Sequence, residues 1–252
     1  MDVLDVDRLK YPSQAKALLD SGVLYVVPEI KISPASSLII LESLLQVVGQ
    51  GETPQLKKMT LDISLHYIDP TLVFRAALTV QEFVITGGLR AQLQAILTGI
   101  QDCTNAGLKS LTVESDSLDL VSRDVLAGAA VKLERLVVRS RLSYDQLQAI
   151  LARVAATRDP RLRNVQNTQQ AYLSGMDPLV VAESLVKLDA VGYTGLRAKL
   201  SDDQVLPLFT RISEAPDLRL KRLHFNYEVP ASSASSERAF SAGTRVQSFI
   251  GK

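Results

Sequence analysis

The 252-residue chain carries a formal net charge of +1 and is 46% hydrophobic but only 5% aromatic, without Trp. So small a charge disfavours a nucleic-acid partner, which calls for a basic face or stripe. With only Cys103 and no Asn-x-Ser/Thr sequon, neither a disulfide framework nor N-glycosylation is expected, and a cytoplasmic or nuclear location follows. The start, MDVLDVDRLK, lacks the apolar core of a signal peptide. No run approaches the roughly 18–20 apolar residues of a membrane span, so no membrane association is expected.

Residues 1–22 read as an N-terminal capping segment, with Pro12 opening a short helix (SQAKALLD) and Gly22 placed to end it. Val23 to Ser33 is apolar and β-rich, and Pro28 within it implies an edge strand or a bend. Ser36 or Ser37 caps a helix through LIILESLLQVV, closed by Gly49 and Gly51. From there a unit recurs, clearest from Leu133 to Leu151: an L-x-x-L-x-L strand, then a helix with Ser143 as N-cap and Gln146 completing a capping box. The first residue of each L-x-x-L-x-L serves as an anchor. The anchors are Leu56, Val80, Leu108, Leu133, Leu162, Leu188 and Leu220, separated by 24, 28, 25, 29, 26 and 32 residues.

Short and long repeats therefore alternate, and the true unit is a pair of about 52–58 residues. LQAIL at 93–97 returns at 147–151. Short repeats open their helices with Asp69-Pro70, Ser122-Arg123 and Asp177-Pro178, long ones with Ser143 and Ser201, each followed three residues on by Gln. Long repeats add about one helical turn. The pattern ends after Tyr227, and residues 229–252 form a Ser-rich tail, with a capping helix from Glu237 to Ile250 and disorder as its two alternatives.

A 24–29-residue period with L-x-x-L-x-L at each strand resembles the leucine-rich repeat family, and its ribonuclease-inhibitor-like subclass in the 28–29-residue members. The alternating Asp-Pro and Ser caps are similar, more weakly, to animal F-box-like leucine-rich repeat proteins. The resemblance covers about residues 23–228. It implies an α/β solenoid: a curved horseshoe with a parallel concave sheet and convex helices, short repeats of 24–26 residues and long ones of 28–32. The family's Asn, eight positions after the anchor, is missing; Ser64, Gly88, Asp116, Arg141, Gln170, Leu196 and Glu228 stand there. Other side chains or water must satisfy those backbone groups.

The implied concave face is the candidate site, made of residues two, four and six after each anchor. Its partner-binding candidates are Lys58, Glu82, Arg135, Asn164 and Arg222 in the first column, Thr60, Thr112, Val137, Gln166 and His224 in the second, and Asp62, Glu114, Arg139 and Asn226 in the third. Mixed charge with small central residues suits a protein surface better than a phosphate backbone. Arg135, Arg139 and Arg163 make a local basic cluster beside Glu114 and Glu134.

Catalytic chemistry is not expected. His66 and His224 fall in distant repeats, Cys103 has no His near it in repeat order, and the glycines at 49–51 and 87–88 fit no phosphate-loop motif. No catalytic residue, metal or cofactor is assigned. The expected role is a non-enzymatic scaffold, monomeric or weakly oligomeric, that binds a protein partner on its concave sheet. The alternatives are an oligomerisation module working through terminal or convex faces, and the recognition portion of an F-box-like ubiquitin ligase receptor.

Overall fold

The structure, a computed structural model, describes residues 3–6, 11–33, 37–51, 53–64, 67–103, 107–167, 171–173, 175–191, 198–199, 202–215 and 218–223. Seven strands form one all-parallel sheet in strictly sequential order: β1 (Leu4–Asp5), β2 (Glu29–Ile32), β3 (Lys58–Asp62), β4 (Glu82–Thr86), β5 (Ser110–Glu114), β6 (Arg135–Val138) and β7 (Asn164–Asn167). Further along, β8 (Ala171–Tyr172) pairs in parallel with β10 (Ala198–Lys199), and β9 (Ala190–Val191) with β11 (Arg222–Leu223). The helices are α1 (Pro12–Asp20), α2 (Leu38–Gly49), α3 (Pro70–Thr79), α4 (Arg90–Asp102), α5 (Arg123–Ala130), α6 (Tyr144–Ala156), α7 (Pro178–Leu185) and α8 (Asp202–Glu214). Each helix packs on the next, so the chain is α/β with a solenoid-like succession of strand and helix.

The N-terminal boundary differs from expectation. The sheet starts at Leu4, not at residue 23: Leu4 and Asp5 pair with Ile30 and Lys31 of β2. Nor is residues 23–33 one strand. Val23–Tyr25 is a 3-10 turn following Gly22, whose φ is +69°, and Tyr25 and Val26 donate back to the carbonyls of Gly22 and Val23. Pro28 brings no N–H, and its carbonyl instead accepts from Lys57 and Lys58. Extended pairing therefore begins at Glu29.

The expected anchors Leu56, Val80, Leu108, Leu133, Leu162 and Leu188 are buried, and Leu220 packs half-buried against the core. Val27, also buried, takes the same place ahead of β2. Side chains alternate along each strand. Ile30, Ile32, Met59, Leu61, Phe83, Ile85, Leu111, Val113, Leu136, Val138 and Val165 enter the core shared with the helices. Their neighbours point away from it. Truncating one such side chain to Ala costs about 2–5 kcal/mol.

The long-repeat helices α4, α6 and α8 each have 13 residues, against 10, 8 and 8 for α3, α5 and α7. Their starts have local causes. Asp69 and Asp177 accept from the backbone N–H of Thr71 and Leu179, with Pro at the first helical position. Ser143 and Gln146 form the expected capping box. Ser122 sits at the N-cap without a side-chain bond, and Ser201 lies outside the described residues.

One amide per long repeat answers the missing Asn. Gln92, Gln146 and Gln204 are buried at the third position of α4, α6 and α8. Each turns its Nε2 to carbonyls of the preceding short repeat: Gln92 to Ile68 (3.2 Å), Gln146 to Leu118 and Val121 (2.7 and 2.9 Å), and Gln204 to Leu173 and Met176 (2.6 and 3.1 Å). The Oε1 atoms of Gln92 and Gln146 accept from the N–H groups of Leu89 and Ser143. The Gln92 and Gln146 amides thus satisfy both their own helix starts and the strand-to-helix loop of the preceding repeat, and Gln204 satisfies the latter. In α2, the corresponding place holds the buried Ile40.

Two cations secure the turn after α6. Lys187, 5% exposed, donates to the Ala155 and Thr157 carbonyls at 2.8 and 3.1 Å, where the negative end of the α6 dipole favours it. Arg219 reaches back from ahead of β11 to the Pro160 carbonyl (2.8 Å) and the Asp159 carboxylate.

Candidate functional site

The face of the sheet turned away from the helices carries the expected columns in register. Lys58, Glu82, Ser110, Arg135 and Asn164 are successive partners across β3 to β7, as are Thr60, Val84, Thr112, Val137 and Gln166. Asp62, Thr86 and Glu114 continue the third column across β3 to β5, and the Arg139 N–H donates to the carbonyl of Val113. Ala190 pairs with Arg222 in the register of the first column. His224 and Asn226 lie outside the described residues, and so does His66.

The side chains on this face pair among themselves. Lys58 lies 3.0 Å from Glu29, which also faces Lys31 at 4.0 Å. Arg135 donates to Gln166 at 2.8 Å, and Arg139 stands 3.6 Å from Glu114. Between these groups runs a column of β-branched residues, Thr60, Val84, Thr112 and Val137. Thr112 is only 9% exposed, so it contributes floor more than contact surface, a departure from its expected role. The Asp62 carboxylate is engaged by the N–H of Ser64.

A second row escaped the sequence reading. The residue directly after each anchor gives its carbonyl to the next strand: Lys57 accepts from Gln81 and Glu82, Gln81 from Lys109 and Ser110, Lys109 from Glu134 and Arg135, and Glu134 from Arg163 and Asn164. Arg163 then accepts from Asp189, and Asp189 from Lys221. Lys57, Gln81, Lys109, Glu134, Arg163, Asp189 and Lys221 consequently line the starts of the strands, all exposed except the half-buried Asp189. Their position one after the anchor was the available signal.

On the helical side, α7 and α8 leave an apolar groove lined by Ala155, Leu179, Val180, Leu206, Pro207 and Thr210. Leu179 and Leu206 are 71% and 73% exposed there. At its border Glu183 accepts from Arg211 through Nε (2.5 Å) and Nη2 (3.3 Å) and pairs with Lys187 at 2.9 Å. The Arg211 hydrogen bond holds the Glu183 carboxyl below its usual value; burial opposes this, and Lys187 adds to the lowering.

Among the described residues no group of three or more His, Cys, Asp or Glu side chains is placed to hold a metal ion, and no helix is long and apolar enough to cross a membrane. Cys103 is half-buried just beyond the C-terminal end of α4. Gly51, Gly87 and Gly88 have positive φ, as turn glycines do. No family model matches the chain, and comparison with curated proteins and with solved structures gives no match.

Proposed function

We propose that the chain is a leucine-rich repeat scaffold of the ribonuclease-inhibitor-like kind, curved with its sheet on the concave side, that binds a protein partner on that sheet without catalysing a reaction. The supporting observation is the set of polar columns in register across β3 to β7, opposite the helices. A parallel sheet usually has both faces covered. Here one face keeps a smooth central column flanked by charged pairs, a surface that a shape-complementary partner can cover. The recognition part of a larger ligase-type assembly is one form such a scaffold takes.

The test compares wild-type chain with an Arg135→Glu/Arg139→Glu/Glu114→Lys variant in lysate enrichment, once circular dichroism shows both folded. A partner lost only with the variant supports the sheet face. A partner retained equally refutes it.

The groove between α7 and α8 favours a second reading, self-association through the helical side. Sedimentation of wild type against Leu179→Glu/Leu206→Glu tests it: a concentration-dependent dimer seen only with wild type supports that reading, and two monomers refute it.

A further inference from the structure

We infer that the helix-free face takes an acidic α-helix of its partner, laid across the starts of the strands with its carboxylates two helical turns apart. This rests on the sheet-face reading above and adds the partner's chemistry.

The inference comes from the row one residue after the anchors. Lys57, Lys109, Arg163 and Lys221 are exposed, and among the described residues none of these four side chains has a hydrogen-bond or ion-pair partner. They open the short repeats. The long repeats place Gln81, Glu134 and Asp189 between them, and Glu134 faces Arg161 at 3.6 Å. Uncompensated positive charge therefore recurs at every second strand, about 9.6 Å apart at the usual strand spacing.

That interval selects the occupant. Residues seven apart on a helix share a face and rise about 10.5 Å, so carboxylates at every seventh position meet successive cations. An extended segment puts same-face side chains about 6.8 or 13.6 Å apart, and neither matches. A nucleic-acid strand advances about 3.4 Å per phosphate, which would bring phosphates against Glu134 and Asp189 as well. The intervening acids disfavour a continuous polyanion and tolerate a helix with neutral residues between its carboxylates.

The test uses the full chain and two labelled helical peptides of identical Ala, Gln and Glu composition, one with Glu at every seventh position and one with the same Glu residues spread around the helix. Fluorescence anisotropy is read at low and raised salt for wild type and for Lys57→Glu/Lys109→Glu/Arg163→Glu. Expected are tighter binding of the heptad-spaced peptide, a loss of about tenfold or more with the triple reversal, and weakening by salt. Equal binding of both peptides, indifference to the reversal, or tighter binding of a DNA duplex than of the heptad peptide overturns the inference. Should the reversal unfold the chain, the Ala variants at the same positions carry the test. A partner captured from lysate that survives the reversal but is lost with the Arg135/Arg139/Glu114 variant also overturns the acidic helix while leaving the sheet-face reading standing. Survival in both variants removes both.

Discussion

The Nε2 amide of Gln146 lies 2.7 Å from the carbonyl oxygen of Leu118, in the preceding repeat. It also reaches Val121, while Oε1 takes the N–H of Ser143, so one buried side chain satisfies three backbone groups. Gln146→Leu keeps the approximate volume and takes this partner from all three, leaving the Leu118 carbonyl only the N–H of Val121. The expected cost is roughly 2–4 kcal/mol in urea unfolding, whereas Gln148→Leu, on the exposed side of the same helix, should stay within about 0.5 kcal/mol. Equal effects of the two changes would deny the amide its role.

Stability should fall in acid through Glu183. Its folded pKa lies below the ordinary glutamate value, so its contribution is complete above the unfolded pKa of about 4.3 and is lost as pH drops through the lower folded value. Glu183→Gln should flatten that acid limb when unfolding free energy is followed from neutral pH downwards. At neutral pH the same change leaves Lys187 and Arg211 without their carboxylate, at a cost of roughly 1–3 kcal/mol.

Gly87, at the end of β4, combines a φ of +74° with a close approach: an added Cβ would stand 2.7 Å from the Cα of Ser64. Gly51 has a similar φ of +76° but open space, its nearest neighbour being a Thr79 methyl at 4.0 Å. Gly87→Ala is expected to cost roughly 2–4 kcal/mol and Gly51→Ala about 1 kcal/mol. The difference in thermal unfolding isolates the strand-to-strand approach from the backbone strain.

The Arg139 and Glu114 side chains are 57% and 49% exposed. Exchanging them, Arg139→Glu with Glu114→Arg, should change stability by no more than about 0.5 kcal/mol in urea titration. A larger loss would mean that charge variants on this face disturb folding and cannot report on binding alone.

Much of the strand register was legible because the anchors are large, apolar and stand two residues ahead of each strand, and a one-residue slip would turn Leu136 and Val138 to solvent. Asp69, Asp177 and Ser143 were legible as caps because capping is local chemistry. What escaped depends on tertiary partners. Leu4–Asp5 is too short to show a period, and β-rich Val23–Tyr25 forms a 3-10 turn because Gly22 supplies a left-handed start. Gln146 read as half of a capping box, but nothing within its own repeat reveals the carbonyls of Leu118 and Val121. On the sheet face, the columns followed from period two, whereas the low exposure of Thr112 depends on what its neighbours cover.

Because β1 to β7 pair in strict sequence order, and each Gln ties a long repeat to the short one before it, the array has a smallest module that can be removed whole. Excising about 54 residues from one short repeat to the next brings like surfaces together and leaves every remaining amide opposite its carbonyls. Excising a single repeat would set long against long and strand a buried Gln among loops of the wrong length. Chains of this design can thus be lengthened or shortened by twos, and deletion variants built in that rhythm should keep a cooperative melting transition that odd-numbered ones lose.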